Sequence, residues 1–488
     1  MKRAAAVGVV LYVVGTGTGC REESLPPFGQ VQLFLMTDAV LPAAPGEPSL
    51  PLPPLFDRAY FEIFRPGESV PCAGCTREVA LDARTVGEGR ASIGIRPLAN
   101  QAGYRARVRL YRGANGAGAD VPGYAAIEQV VALPVVSDEG IVDATVTLRT
   151  DDLGRRIGTL EQPVPVTPGA PQERLVGTWE GARRIDCAEL PRPGEVCVPG
   201  GAFWMGDPKT LSGTQFNDDP QRPKLVVLSP FFLDATEVTV RRFRASGVAD
   251  PEAVIVTQPI PFKGDPLFVD PLFTAEIAPY HWCNYTREPD TLVRDGVAVD
   301  DLPVNCVSQP RARAYCQASG ADLPSEAQYE YVAGALESRP FTWGNDEPTC
   351  DDAVWGRAGV GILRVLWADC RPPTEVGGPR VPGSGRRDRL VLPTGTIVDL
   401  LGNVVEWTRD VWARSTEPCW TFSLARDPVC TTPSATDAER FVGRGGAWGY
   451  PGLVLRPTFR QRSPGVEPFG AFGGFRCARA ARPSLPPR

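Results

Sequence analysis

Histidine is almost absent from this chain, because His281 is the only one among 488 residues. Sites that need two or more imidazoles, such as most histidine zinc sites and histidine relays, are therefore excluded. A triad with a single imidazole would have to use His281, which stands between aromatic residues and beside a cysteine in YHWCNYT. We expect a packed or surface loop residue at this position rather than a catalytic base.

The chain also lacks an excess of positive charge. It contains 51 Lys and Arg against 57 Asp and Glu, for a net charge of −6. Since nucleic-acid binding favours a basic face, we expect no nucleic-acid partner.

A length of 488 residues predicts more than one domain, and 51 glycines with 51 prolines indicate many turns and short strands.

The N-terminal apolar run is too short for a comfortable membrane span, which needs about 20 apolar residues. In MKRAAAVGVVLYVVGTGTGC, two basic residues precede this run and small residues precede Cys20, so residues 1–20 are predicted to be a secretory signal. Gly-Thr-Gly-Cys resembles the processing site of bacterial lipoproteins, although Gly17 stands where leucine is usual. We predict lipid attachment at Cys20, the alternatives being plain secretion and an uncleaved anchor. Arg21 replaces the aspartate of inner-membrane retention, which favours an exported, outer-membrane-anchored protein of the cell envelope.

The cysteine count is even once Cys20 is set aside, since 13 minus 1 leaves 12. An exported chain meets an oxidising compartment, where such cysteines form disulfides. Closeness in sequence suggests Cys72/Cys75, Cys187/Cys197, Cys283/Cys306, Cys350/Cys370 and Cys419/Cys430, which leaves Cys316 and Cys477. Connectivity does not follow from sequence alone. Cys72-Ala-Gly-Cys75 has a redox or metal motif as its alternative, but the absence of a βαβ pattern and of a second zinc-spaced pair favours a small disulfide-closed loop.

Residues 29–155 have the pattern of a β-domain. Seven short runs alternate partly with period two and are separated by Gly, Pro and Asp turns: QVQLFLMTDAV, RAYFEIFRP, REVALDA, RASIGIRPL, YRARVRLYRG, IEQVVALPVV and IVDATVTLRT. Seven such strands predict an immunoglobulin-like β-sandwich. Residues 156–186, with the Pro-rich PVPVTPGAP, are predicted to be a linker.

The second half has helix signals and long irregular loops. In SQPRARAYCQASG, Ser308 is predicted to cap a helix that Gly320 ends. In LPSEAQYEYVAGA, Ser325 and Gln328 have the spacing of a capping box.

Several stretches of this half, taken in order, resemble one family. They are Val198–Asp207 (VPGGAFWMGD), Phe231–Phe243 (FFLDATEVTVRRF), Leu302–Ala335, Phe341–Asp346 (FTWGND), Asp399–Asp410 (DLLGNVVEWTRD), Gly443–Trp448 (GRGGAW) and Gly473–Ala481 (GGFRCARAA). Together they resemble the formylglycine-generating enzymes, or sulfatase-modifying factor domains. The resemblance implies a C-type-lectin-like α+β fold for residues 187–483, so the fold class expected for the whole chain is α+β.

The resemblance carries further expectations about particular residues. It implies a disulfide between Cys316 and Cys477, which agrees with the pair that spacing leaves over. It also implies bound calcium, with Asn403 and Glu406 on a calcium-binding loop whose hard oxygen ligands suit that ion. The alternative is that both side chains only form hydrogen bonds within the loop.

The chemistry of these enzymes requires a copper ion held by two cysteine thiolates shortly after the GGSW-like motif, and it oxidises a cysteine of a sulfatase. In this chain the corresponding window, GYPGLVLRPTFRQR, contains no cysteine. Tyr450 and either Val454 or Leu455 occupy the nearest positions, and neither a phenol nor an aliphatic group replaces a thiolate ligand. Copper binding is therefore not expected, and no catalytic residue is assigned.

The remaining expectation is a cleft that binds rather than reacts. Its candidate lining residues are Arg444, Trp448, Tyr450, Arg456 and Arg460, because arginine with aromatic rings can hold a carboxylate, a phosphate or a peptide backbone. The alternative is that Arg444 and Trp448 only fix the loop and the core. The sequence thus predicts an envelope lipoprotein whose binding module recognises an envelope protein, a peptide or another acidic ligand. The rival hypothesis is an oxidoreductase of the formylglycine-generating type that modifies an envelope protein.

Overall fold

The computed structural model describes residues 9–10, 29–48, 52–207, 219, 221–248, 283–285, 293–294, 296–357, 370, 372, 375, 377–434, 440–463 and 472–482. Cys20 and His281 lie outside these residues. The chain forms two compact units, of which the first is Met1–Arg183 with Phe422–Leu424, and the second is Arg184–Thr421 with Ala425–Arg488. Among the described residues, no helix is both long enough and apolar enough to cross a membrane.

The first unit consists almost entirely of strands. They are β1 (Val9–Val10), β2 (Gln30–Thr37), β3 (Arg58–Phe64), β4 (Thr76–Ala80), β5 (Ser92–Ile95), β6 (Arg105–Tyr111), β7 (Ala126–Ala132), β8 (Ile141–Leu148), β9 (Arg156–Ile157), β10 (Val164–Pro165) and β11 (Thr167–Pro168). A single short helix, α1 (Ala83–Gly87), follows β4 among the described residues, and Asp82 caps it by accepting a hydrogen bond from the Thr85 amide. The seven predicted runs coincide with β2 to β8, so this part of the prediction is confirmed.

These strands form two sheets, in the orders β1-β5-β2-β8-β11 and β10-β7-β6-β3-β4, with β9 beside β7. Strand β2 is antiparallel to β5 and parallel to β8. Every residue of β2 except Gln32 is buried, so this central strand is covered on both faces, and Val31, Leu33 and Leu35 on one face are at most 1% exposed. The Gln129 amide of β7 donates to the Thr147 carbonyl of β8 over 2.8 Å, which links the two sheets.

The immunoglobulin-like assignment is not confirmed. Immunoglobulin domains place their first, second, fifth and fourth strands in one sheet and the third, sixth and seventh in the other. Here the seven main strands divide differently, because β2 lies between β5 and β8 while β3 and β6 lie together in the other sheet. We therefore describe this unit only as a two-sheet β-domain.

The second unit combines short strands with three short helices. The strands are β12 (Glu195–Val198), β13 (Gly201–Met205), β14 (Lys224–Leu228), β15 (Phe231–Asp234), β16 (Val293–Arg294), β17 (Val297–Ala298), β18 (Arg389–Leu392), β19 (Gly395–Val398), β20 (Val405–Val411), β21 (Leu424–Arg426), β22 (Phe441–Arg444), β23 (Arg460–Ser463), β24 (Gly473–Gly474) and β25 (Ala478–Ala480). The helices are α2 (Val240–Ala245), α3 (Gln309–Ala318) and α4 (Glu326–Ala333). The four-stranded sheet β23-β22-β20-β24 carries three of the predicted site residues, which are Arg460 on β23, Arg444 on β22 and Glu406 on β20. The unit is a sheet-dominated α+β fold, as expected.

The two predicted helix starts behave differently. Ser325 and Gln328 form the complete capping box, with the Ser325 hydroxyl accepting from the Gln328 amide and the Gln328 side chain accepting from the Ser325 amide. Ser308 occupies the N-cap position of α3, but its hydroxyl makes no capping hydrogen bond, so its predicted role is corrected. Gly320 follows this helix with a φ of +72°, a left-handed conformation that glycine adopts without strain.

Six disulfides form, and they are the six pairs suggested by spacing. They join Cys72 to Cys75, Cys187 to Cys197, Cys283 to Cys306, Cys316 to Cys477, Cys350 to Cys370, and Cys419 to Cys430. Cys72-Ala-Gly-Cys75 is thus a small disulfide-closed loop. Every cysteine of the sequence except Cys20 is paired.

Candidate functional site

Arg444, at the end of β22, lies inside the second unit rather than on the wall of a cleft. Its guanidinium is completely buried and pairs with the Glu330 carboxylate of α4. A second carboxylate, Glu326, lies 3.7 Å from Nη1 of Arg444. The helix presents these two acids to the sheet because positions four residues apart share one helix face. The role of Arg444 is therefore to balance buried negative charge.

Arg460, on the adjacent β23, is buried in the same network. Its Nε and Nη2 atoms donate to the two carboxylate oxygens of Glu326 over 2.6 and 2.8 Å, which is a bidentate pair. Its Nη1 atom donates to Asp219 over 2.8 Å. The Trp412 ring covers the guanidinium at 4.3 Å. These contacts saturate Arg460 within the fold.

Lys224 completes this cluster of charges from β14. Burial, together with the positive charge of Arg460, lowers the pKa of Lys224 to about 8, although the acids Glu330, Glu326 and Asp219 act in the opposite direction. Its ammonium lies 5.0 Å from the Trp420 ring. We call Asp219, Lys224, Glu326, Glu330, Arg444 and Arg460 the buried ion network. Three acids and three bases balance one another within it.

Trp448 and Tyr450 also belong to the core. Both rings pack on Phe472, with centroid distances of 4.8 and 5.2 Å, and their side chains are almost completely buried. The Tyr450 hydroxyl donates to the Gln461 side chain over 2.7 Å. Arg444, Trp448, Tyr450 and Arg460 are thus corrected from cleft lining to buried elements, because their side chains are at most 4% exposed and contact other core residues.

Arg456 is the cleft candidate that reaches the surface. Its guanidinium lies 4.0 Å above the Phe341 ring, and Phe341 stacks on Trp343 at 4.9 Å with an interplanar angle of 8°. Arg387 lies over the Trp343 ring at 5.7 Å. No motif in the sequence indicates this layered arrangement, which we call the arginine–aromatic stack (Arg387, Trp343, Phe341 and Arg456).

Exposed carboxylates pair with both ends of the stack. Glu347 accepts from Arg456 over 2.9 Å, and Asp346 accepts from Arg387 over 2.7 Å. Glu347 and Asp346 are 76% and 75% exposed, so water screens both pairs and each contributes only about 0–1 kcal/mol. A ligand carboxylate can therefore replace either one at small cost.

Asn403 and Glu406 do not have the geometry of calcium ligands. Arg476 donates to both carboxylate oxygens of Glu406, from Nε over 2.7 Å and from Nη2 over 2.7 Å. The Asn403 side-chain oxygen accepts from the Arg380 amide over 2.8 Å. The Arg476 guanidinium already neutralises the Glu406 carboxylate, and its positive charge would repel a calcium ion brought to the same oxygens. Hydrogen bonding within the fold, the alternative stated above, matches the observed contacts.

More buried acids surround Arg476 than one guanidinium neutralises. Burial raises the pKa of Asp399 to about 7 and that of Asp388 to about 6, and burial also raises the pKa of Glu237. One oxygen each of Asp399 and Glu237 has no hydrogen-bond partner. Within the described ranges, however, no three His, Cys, Asp or Glu side chains are arranged to hold a metal ion. This arrangement favours protonated carboxyls.

Glu326, Glu330 and Arg476 are buried charged residues that the sequence analysis did not assign to the site. One signal was available: α4 contains two acids, yet it lies between a capping serine and a Gly-Ala end with few other polar residues. Acids on such a helix require partners, and the GRGGAW segment supplies Arg444 to Glu330. The arginine of GGFRC, Arg476, pairs instead with Glu406.

The window after Gly446, in which the resemblance led us to expect copper-binding cysteines, contains no sulfur. Tyr450, Val454 and Leu455 are buried there, and the Leu455 side chain packs against Gly446, where a Cβ would lie 2.5 Å from a Leu455 methyl group. Leu455 therefore fills the space beside the glycine pair.

Comparison with known proteins places these features in a family. Residues 183–481 match the sulfatase-modifying factor enzyme 1-like domain. The formylglycine-generating enzyme of Streptomyces coelicolor is 35% identical over 167 residues, which are 31% of this chain and 51% of that protein. The chain thus spans about half the length of that relative. The formylglycine-generating enzyme of Bos taurus is 29% identical over 302 residues, which are 58% of this chain and 74% of that protein.

A relative described as inactive also matches. The inactive C-alpha-formylglycine-generating enzyme 2 of Mus musculus is 25% identical over 251 residues, which are 47% of this chain and 72% of that protein. Likeness to active and inactive proteins alike leaves activity to be argued from the residues themselves. Because the domain match covers more than half of the sequence, this chain belongs to the sulfatase-modifying factor, or formylglycine-generating-enzyme-like, family.

Proposed function

We propose that this chain is a cell-envelope lipoprotein, anchored through Cys20, whose family domain binds a partner and does not perform copper-dependent oxidation. The observation that carries the proposal is the oxidation state and position of the cysteines. All twelve cysteines other than Cys20 are in disulfides, and the window after Gly446 has none. A disulfide sulfur has no thiolate to offer Cu(I), which selects thiolates.

The test of the missing oxidase is a thiol count and a copper titration on the purified, unreduced chain with Cys20 replaced by serine. We expect no titratable thiol after denaturation. We also expect no stoichiometric Cu(I) binding in competition with a chromogenic chelator, and no oxygen consumption with a cysteine-containing peptide. Stoichiometric copper binding together with oxygen-consuming turnover would contradict the proposal and support the rival hypothesis of a copper-dependent oxidase.

The arginine–aromatic stack supports the binding half of the proposal, because it contains Arg456, the predicted cleft residue whose side chain reaches solvent. Planar guanidinium groups held on aromatic rings can donate hydrogen bonds to a ligand carboxylate that takes the place of Asp346 or Glu347. The partner class is therefore an acidic peptide or an acidic segment of an envelope protein. An acidic partner agrees with the observation that the two arginines of the stack already pair with carboxylates, Arg387 with Asp346 and Arg456 with Glu347.

The binding test compares Trp343→Ala and Arg387→Ala with the control Arg386→Ala. Arg386 is the neighbouring arginine, and 72% of its side chain is exposed. We expect the first two variants to weaken capture of a glutamate-rich peptide at least fivefold, and the control to bind as the parent chain does. Equal binding by all four proteins would exclude the stack as the binding surface. Anchoring is tested separately, by the mass of the N-terminal peptide, which should show acylation of Cys20.

A further inference from the structure

Strand register places three loops of the first unit at one end of the two sheets. Phe64 pairs with Arg105, and Arg105 pairs with Ala132, so these residues lie side by side at one end of the strands β3, β6 and β7. The loops 65–75, 96–104 and 133–140 therefore all begin or finish at this end of one sheet. In the other sheet, Gln30 pairs with Ile141 and Val31 pairs with Ile95. These pairs place the start of the second loop and the finish of the third loop beside the start of β2.

Hydrogen bonds hold the three loops together. The Asn100 amide donates to the Val136 carbonyl over 2.9 Å, which joins the second loop to the third. The Arg105 guanidinium donates to the carbonyls of Arg65 and Glu68, which joins the first loop to the start of β6. The loops therefore present one surface.

This surface carries all the large exposed aliphatic side chains among the described residues of the first unit. They are Val70 (69% exposed), Leu98 (45%), Val135 (47%) and Ile141 (41%). Single exposed aliphatic residues are ordinary on protein surfaces, but their concentration at one end of a domain indicates an interaction site. We call this surface, defined by these four residues, the apolar end.

The chain enters the first unit at the apolar end. The amide of Gly29 donates to the Gly140 carbonyl over 2.8 Å, immediately beside Ile141. Eight residues lie between Cys20 and Gly29, and the nine residue-to-residue steps that join them reach at most about 30 Å when fully extended. A lipid on Cys20 therefore keeps the apolar end within a short distance of the bilayer.

The charge of the three loops suits a lipid surface of any composition. Their charged residues are Arg65, Glu68, Arg96, Asp138 and Glu139, two bases against three acids. With no excess of basic residues, attraction to anionic headgroups is not the driving force. Contact would depend on aliphatic burial, and we expect it to be insensitive to salt.

We propose that the apolar end is a membrane-contact surface, on which the first unit rests against the bilayer face that holds the lipid of Cys20. The inference rests on the proposed anchoring. The acyl chains supply the affinity, and the four aliphatic side chains fix the orientation, since tethering raises their local concentration at the lipid. Strand β1 belongs to the predicted signal, so processing before Cys20 would remove it and leave β5 at the edge of its sheet.

The experiment uses the unique thiol of the chain. Because the other twelve cysteines are in disulfides, the chain from Cys20 to Arg488 is coupled through Cys20 to phosphatidylcholine vesicles that carry a maleimide lipid. Hydrogen–deuterium exchange is then compared with that of the same chain coupled to a small soluble maleimide. We expect amides in loops 66–75, 97–103 and 134–140 to exchange at least threefold more slowly on vesicles. The loop 112–121, at the opposite end, should not change.

The variant pair Val135→Asp and Val391→Asp provides the matched control. Both replace an exposed valine with the same acid, but Val391, which is 70% exposed, belongs to the second unit and is not one of the four residues of the apolar end. Val135→Asp should lose the slowing in all three loops while Val391→Asp keeps it. A milder Val135→Ser change covers the case in which the acid disturbs folding.

The outcomes separate the two proposals. Unchanged exchange in the three loops of the tethered parent chain would overturn the membrane-contact surface and leave the lipoprotein proposal intact. Equal loss of slowing in both aspartate variants would also overturn it. An unacylated Cys20 peptide from cells would refute the anchoring, and with it the biological meaning of the contact.

Discussion

Replacing Arg444 with methionine should destabilise the second unit by about 3–5 kcal/mol, because the substitution leaves Glu330 as a buried charge without its guanidinium partner. The pair is completely desolvated, with exposed side-chain fractions of 0% for Arg444 and 3% for Glu330. Methionine keeps much of the arginine's length and apolar volume, so the loss measures the charge. In the double variant Arg444→Met/Glu330→Gln neither charge remains, and most of the cost should disappear.

The assay is urea unfolding of the disulfide-intact chain, followed by tryptophan fluorescence. The four proteins of the double-mutant cycle should give a coupling energy of at least about 2 kcal/mol. Arg456→Met is the matched control, since its partner Glu347 is 76% exposed and the pair contributes about 0–1 kcal/mol. A cost below about 1 kcal/mol for Arg444→Met, or an equal cost at Arg456, would refute the buried ion network. Because Arg444→Ala would also leave Glu330 without its buried partner, a loss of ligand binding in that variant would report lost stability and not a lost ligand contact.

Further predictions concern pH and disulfides. Burial raises the pKa of Asp399 to about 7 from an ordinary value of 3.8, so the folded state holds the extra proton between those values and the free energy of unfolding should fall as pH rises from about 4 to about 7. Asp399→Asn should flatten that slope in urea titrations at about pH 5 and about pH 8, and an unchanged slope would contradict the assignment. Removing the Cys316–Cys477 disulfide, which closes a separation of 161 residues, should cost about 5 kcal/mol, against about 2 kcal/mol for Cys72–Cys75 with a separation of 3. Comparable losses in thermal unfolding of the two double-serine variants would contradict this ranking.

Local features of the fold could be predicted from the sequence. The seven strands of the first unit follow from alternation and turn residues, and the capping box of Ser325 and Gln328 lies within four residues. Sheet order could not be predicted in the same way. The parallel pairing of β2 with β8 joins residues more than 100 positions apart, and alternation reports which side chains face the core but not which strand lies alongside.

The candidate site shows the same limit. Sequence motifs identified Arg444 and Trp448 as important positions but could not show which way they point. Arg444 has the character of a ligand-binding residue until Glu330, 114 positions earlier, is found beside it. The absence of cysteine from the window after Gly446, in contrast, follows from the order of the amino acids alone, whereas the pairing of the other cysteines needed the structure.

The first unit is entered and left at opposite ends. The chain enters at Gly29, whereas the Trp179 and Gly177 amides donate to the carbonyls of Asp38 and Ala39, just beyond the other end of β2. Strand β2 is also the central strand of its sheet, since it pairs with β5 on one side and with β8 over eight register positions on the other. Releasing β2 would therefore divide the sheet in two, so we expect local opening of this strand to require unfolding of the whole unit.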